Sequence, residues 1–135
     1  MTLIAIQTTI DANASEVWQA WTSPEHIMQW NHASDDWHSP AAENDLRVGG
    51  RFKFTMAAKD GSVSFDFTGT YTAVEPHAYL AYKIDDGRTV DVTFTSAGAG
   101  THVVERFEAE TLNPPEMQQA GWQAILNNFK RHVEQ

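Results

Sequence analysis

Residues 113–134, NPPEMQQAGWQAILNNFKRHVE, decide the fold. Asn113 suits a helix N-cap, Pro114 the first helical position and Glu116 the third, so the backbone amides that a helix start leaves unpaired find partners there. Behind this start Trp122, Ile125, Leu126, Phe129 and Val133 recur at i, i+3, i+4, i+7 and i+11, one apolar face of a 3.6-residue helix. The helix predicted is roughly 20 residues and roughly 30 Å long. Lys130, Arg131 and His132 fall near its end, where cations complement the helix dipole.

A helix with one apolar face needs a surface to cover, and the sequence before it supplies a sheet. Asp60-Gly61 and Asp86-Gly87 are tight-turn dipeptides, and Glu75-Pro76 and Gly98-Ala99-Gly100 mark two further turns. They delimit strands near residues 63–74, 78–84, 88–95 and 102–109, preceded by an alternating strand at Arg51–Met56. Gly69 interrupts the longest of these, as expected at a bulge or a sharp bend. At the N-terminus, residues 2–10 alternate, with Ile4, Ile6, Thr8 and Ile10 on one face. Asn13 to Glu16 reads as a capping box before Val17, Trp18 and Trp21, and Ser23-Pro24-Glu25 restarts a second short helix that buries Ile27 and Trp30. Residues 31–45 are polar, hold Pro40 and read as a loop, longer than most connections in compact domains and therefore functional or mobile. The fold expected is α+β, a helix-grip domain spanning residues 1–135. In it, a six-stranded curved antiparallel sheet wraps around the C-terminal helix, with two short helices between strands 1 and 2.

The covered sheet face follows from alternation: Phe52, Phe54 and Met56, then Val63, Phe65 and Phe67, Tyr82, Val90, Val92 and Phe94, and finally Val103 and Phe107. Their alternates are mostly polar, so the other face is wet. A sheet curled around a single helix leaves space between the two, and such a space with few polar groups is a binding site by default. Phe54, Phe67, Tyr82 and Phe94 on the sheet, with Trp122, Ile125 and Phe129 on the helix, are candidate lining residues. Dense aromatic packing is the competing reading of the same side chains.

Glu105 stands out among them, because it lies between Val103 and Phe107 on the inward side of its strand. A buried carboxyl must be paired, hydrogen-bonded or protonated. It therefore orients a ligand or handles a proton, or else it forms a structural ion pair with Arg47 or Arg51. His32, Asp35, Asp36 and His38 crowd one stretch, but their spacing matches no metal motif and no metal is expected. Asp36 and His38 could instead contact a ligand's polar end or act as acid and base at the pocket mouth, with Trp30 and Trp37 as apolar walls. Gly121 before Trp122 is expected to let the helix approach the sheet closely.

Composition narrows the functions. The net charge of −9 repels nucleic acids and anionic membranes, and no basic stripe offsets it. The chain contains no cysteine, which removes disulfides, thiolate metal sites and a cysteine nucleophile. There is no signal-peptide pattern and no apolar run near the ~20 residues of a membrane span. A cytoplasmic protein without membrane insertion and without a cofactor is expected, monomeric or homodimeric. No nucleophile elbow or phosphate-cradling glycine motif appears. Binding of a small apolar ligand is the leading reading. A cyclase-like or hydrolase-like enzyme using the same pocket is the second, and a stress-response cofactor acting through its surface on a chaperone or other protein is the third.

The segments VWQAWTSPEHIMQWN (17–31), SDDWHSPAAENDLRVGGRF (34–52), DGSVSFDFTGTYTAVEP (60–76), GTHVVERFEAE (100–110) and GWQAILNNFKRHVE (121–134) together resemble a known family. The chain looks like a member of the START-like, birch-pollen-allergen-type (SRPBCC) superfamily. Within it, the resemblance is to the C-terminal domain of the heat-shock-protein-90 ATPase activator. What this implies is a helix-grip fold with a hydrophobic cavity under the C-terminal helix. Lipid carriers, hormone receptors, polyketide cyclases and chaperone cofactors share that superfamily, so activity has to be argued from the site.

Overall fold

The computed structural model describes residues 2–135. In chain order the elements are β1 (Leu3–Ile10), α1 (Ala14–Thr22), α2 (Pro24–Trp30), β2 (Trp37–Asn44), β3 (Arg51–Ala58), β4 (Ser64–Glu75), β5 (Tyr79–Ile84), β6 (Thr89–Ala97), β7 (Gly100–Glu108) and α3 (Pro115–Glu134). All strands pair antiparallel in a single sheet ordered β1-β7-β6-β5-β4-β3-β2. The sheet has seven strands among the described residues, not the six expected. The added one is β2, inside the stretch read as a loop. It pairs with β3, with a register shift between His38 and Ala41 around Pro40. An edge strand bonds on one side only and tolerates proline and a bulge, so it carries no alternation to read.

Helices close the gap between the two edges. α3 lies along β1 and bonds its outer rim: Gln123 Nε2 donates to Gln7 O (3.3 Å), Lys130 Nζ donates to Thr9 O, and Asp11 N donates to Glu134 Oε2 (2.8 Å). α2 packs against β2 at the other edge and meets α3. Both open edges are thus covered or blunted, which removes a template for strand addition. α1 begins with a closed capping box in which Asn13 Oδ1 accepts from Glu16 N (2.9 Å) and Asn13 Nδ2 donates to Glu16 Oε1 (3.0 Å). Ser23 precedes α2 without a side-chain cap. α3 begins one residue later than expected, with Pro114 at the cap and Pro115 first in the helix.

Three expectations about the sheet and helix change. Val63 and Phe65 are about half exposed, so these two positions near the β3–β4 turn lie outside the covered core. Gly69 sits in regular register with Phe52 and Ile84, and the irregularity in β4 lies between Tyr71 and Ala73. A side chain at Gly69 would lie 2.7 Å from both the Phe52 ring and Lys83 O, so the glycine makes room for the ring. Gly121 has no such role, since a methyl group there would meet nothing within 4 Å.

Candidate functional site

Between α3 and the concave face of the sheet lies a cavity of about 350 Å³. Nine of its wall residues are aromatic, and Phe52 is their centre. Its ring stands 4.9 Å from Phe54, 4.9 Å from Tyr82, 5.4 Å from Tyr71 and 5.7 Å from Phe67. Offset and edge-on contacts of this kind fix the rings relative to one another. On the helix side Trp122 stacks flat on Phe107 at 3.9 Å and meets Phe67 edge-on at 6.3 Å. Ile125 completes that wall.

Trp21 and Trp30 form the end of the cavity under α1 and α2. Trp30 is held by its indole N–H, which donates to Ala20 O (2.8 Å). Both rings pack on Phe129 at 4.8 Å, and Trp21 meets Phe94 at 5.8 Å. Phe94 and Phe129 therefore belong to solid core behind the two tryptophans rather than to the cavity wall, as dense interior packing predicts.

Glu105 reaches the cavity from the middle of β7, flanked by the buried Ile6 of β1 and Val92 of β6. It is 5% exposed, and among the described residues no protein group hydrogen-bonds its carboxyl. Burial alone pushes its pKa from 4.5 to about 8, so the acid is mostly protonated at neutral pH. The ion pairs considered for it do not form: Arg47 binds Asp45 (2.9 Å) and Arg51 binds Asp85 (2.7 Å), both on the surface. Tyr82 shares this end, and burial followed by the nearby Glu105 drives its hydroxyl well above the usual phenol range. The Tyr71 hydroxyl is raised by burial as well and donates to Asn44 Oδ1 (2.6 Å).

The far end is closed by the segment between β7 and α3. Gln118, 8% exposed, accepts from Glu110 N (2.9 Å) and donates to Glu110 O (3.1 Å) and Asn113 O (2.8 Å). All three residues line the cavity. A polar residue on the buried helix face escapes an apolar-periodicity reading, as does Arg88, a lining residue whose Nε donates to Asp86 Oδ2 (2.8 Å). Trp21, Phe52, Tyr71 and Leu80 also line the cavity but were not singled out as ligand contacts. Phe52 carries an alternation signal, and Tyr71 and Leu80 share the inward parity of Phe67 and Tyr82 in their strands.

The segment around β2 stands apart from the cavity. Asp36 accepts from Ser34 Oγ (2.5 Å), His38 pairs through its backbone with Ala57, and Trp37 packs on Phe65 at 6.1 Å. None of the three lines the cavity. His32 turns toward α3, where Asn128 Nδ2 bonds both its Nε2 (3.0 Å) and Trp30 O (3.0 Å). Its pKa is lowered, first by burial and then by Lys59. Among the described residues no three His or carboxylate side chains converge as a metal would require.

The family model "Activator of Hsp90 ATPase homolog 1-like protein" matches residues 11–134. An AHSA1-like protein from Aeromonas hydrophila, solved in solution, is 54% identical over 98% of this chain and 92% of its own, with a TM-score of 0.93. The chain belongs to the AHSA1-like family. Chr148 from Cytophaga hutchinsonii is 52% identical over 97% of this chain and 91% of its own, with a TM-score of 0.85. CV1439 from Chromobacterium violaceum, 23% identical with a TM-score of 0.87, shares the fold. No curated protein matches the chain. The AHSA1-like match begins after β1, yet β1 supplies Ile6 beside Glu105 and the edge along which α3 lies. No helix among the described residues is long and apolar enough to cross a membrane.

Proposed function

We propose that this AHSA1-like domain binds a small hydrophobic or aromatic molecule in the cavity beneath α3, with the ligand's polar end at Glu105. One observation carries the reading: a 350 Å³ space walled by aromatic rings contains a buried carboxyl that no protein group satisfies. Ligand sites are usually pre-formed, largely apolar clefts of roughly 300–1,000 Å³ with a few placed polar groups. Side chains that served only as core would close such a space, because interiors pack to crystal density.

Native mass spectrometry followed by a thermal-shift screen of aromatic metabolites, polyketides and fatty acids tests it. A ligand that binds the native state raises stability with concentration, by about 2.7 kcal/mol at a hundredfold excess over Kd. The shift is expected to shrink in Trp122→Ala and in Glu105→Gln. No shift across the whole panel would reject the reading.

A second reading has its own observation. Leu112 and Met117, 89% and 60% exposed, are apolar side chains in water near the start of α3, and contiguous apolar exposure marks protein contacts. A chaperone partner would use that surface. Loss of chaperone binding in Leu112→Ser with unchanged ligand shifts would favour it.

A further inference from the structure

We infer that the cavity selects organic cations, taking an amine-bearing molecule whose ammonium group pairs with Glu105 while its apolar body lies among the aromatic rings. This rests on the cavity being a ligand site and names the class of ligand. The polar groups at the wall are unequally committed. Arg88, the one cation there, is engaged by Asp86 (2.8 Å) and reaches Glu108 O (3.5 Å). Glu110, the second carboxyl, accepts from Asn113 N (2.7 Å). Of the two wall carboxyls, only Glu105 has no protein partner. An anionic ligand such as a fatty acid would hold Glu105 in its protonated form and gain one hydrogen bond, whereas an ammonium forms an ion pair with the ionised carboxylate.

The walls favour the same sign. The faces of Tyr, Trp and Phe attract a cation placed within about 6 Å of the ring centre. Tyr82 lies beside Glu105, and Trp122 covers Phe107, two residues further along the same inward row of β7. The net charge of −9 raises the local concentration of cations and lowers that of anions. The ionisable groups facing Glu105 are few. β1 and β6 present Ile6 and Val92, α3 presents Gln118, Trp122 and Ile125, β5 presents Tyr82, β4 presents Tyr71 with its hydroxyl bonded to Asn44, and Arg88 and Glu110 are the other charged groups of the wall. An ammonium beside Glu105 therefore displaces that residue's own proton, since the neighbouring Tyr82 hydroxyl is driven well above the usual phenol range and keeps its own.

The test uses three probes with one phenylethyl body: 2-phenylethylamine, 2-phenylethanol and 3-phenylpropanoate. Each is titrated calorimetrically into the full chain at pH 7, in two buffers of different ionisation enthalpy. The amine is expected to bind about tenfold or more tighter than the alcohol, with the carboxylate weakest. Its binding releases about 0.9 proton, the fraction of Glu105 still protonated at pH 7 with a pKa about 8. In Glu105→Gln the amine falls to the alcohol's affinity and the proton release disappears. That variant removes a buried titrating acid, so the test does not depend on a destabilised protein. If alcohol and amine bind alike, or if amine binding releases no proton, the cation inference is overturned and the cavity reading survives. If none of the three binds, the cation inference is overturned, and the cavity reading stands or falls on the wider thermal-shift panel.

Discussion

Replacing Glu105 with glutamine keeps the side chain's shape and removes its titration, so the difference in unfolding free energy between the two proteins isolates one carboxyl. Below pH 4.5 the acid is protonated in the folded and the unfolded chain, and it adds no pH dependence. Between 4.5 and about 8 the folded state keeps a proton that the unfolded state has released. The unfolded chain then binds fewer protons, so stability falls as pH rises, by about 1.4 kcal/mol per unit. Above the folded pKa both forms are ionised and the loss levels off at about 5 kcal/mol, the value of that slope taken from 4.5 to 8. Near pH 7 the deficit is about 3 kcal/mol. Urea unfolding followed by tryptophan fluorescence from pH 5 to pH 9 measures it. Every other titrating group is common to both proteins and cancels in the difference. The advantage of Glu105→Gln is expected to grow through neutral pH and then become constant. An advantage independent of pH, or one that shrinks as pH rises, would show that the carboxyl is ionised and satisfied in the folded protein.

Three further outcomes follow from the packing. Gly69→Ala drives a methyl group into the Phe52 ring and Lys83 O at 2.7 Å, and is expected to cost about 1–3 kcal/mol in a denaturant melt. Gly121→Ala meets open space within α3 and should raise stability by about 0.5–1 kcal/mol, since alanine favours helix over glycine; a loss would mean that the position is crowded. Gln118→Met leaves Glu110 N, Glu110 O and Asn113 O without their side-chain partner. It is expected to cost about 1–3 kcal/mol and to speed hydrogen exchange at the Glu110 amide, whereas unchanged exchange would show that the segment is held elsewhere.

Repetition made most of the fold legible without coordinates. The apolar row of α3, the alternation in β3, β6 and β7 and the paired Asp-Gly turns each repeat a local rule several times, and Ile4, Ile6 and Ile10 set β1 in the same way. Inward placement of Glu105 came from its phase between Val103 and Phe107, because a strand assigns faces by parity alone. β2 escaped because an edge strand around Pro40 owes its structure to a partner, β3, that its own residues do not announce.

Residue pattern by itself determined that one curved sheet would face one long helix and that a carboxyl would point between them. The tertiary structure decided which aromatics fill space and which enclose it. Phe94 and Phe129 have the same sequence character as Phe54 and Phe67, yet Trp21 and Trp30 seal the first pair into core, while Phe54, Phe67 and Trp122 enclose open volume. It also decided that Arg51 would pair with Asp85 on the outer face, leaving Glu105 unpaired. Periodicity assigns a side chain to a face, a local property of the backbone. Whether that face meets another side chain or an empty volume depends on how far the sheet curls and where distant helices land, which no local pattern encodes.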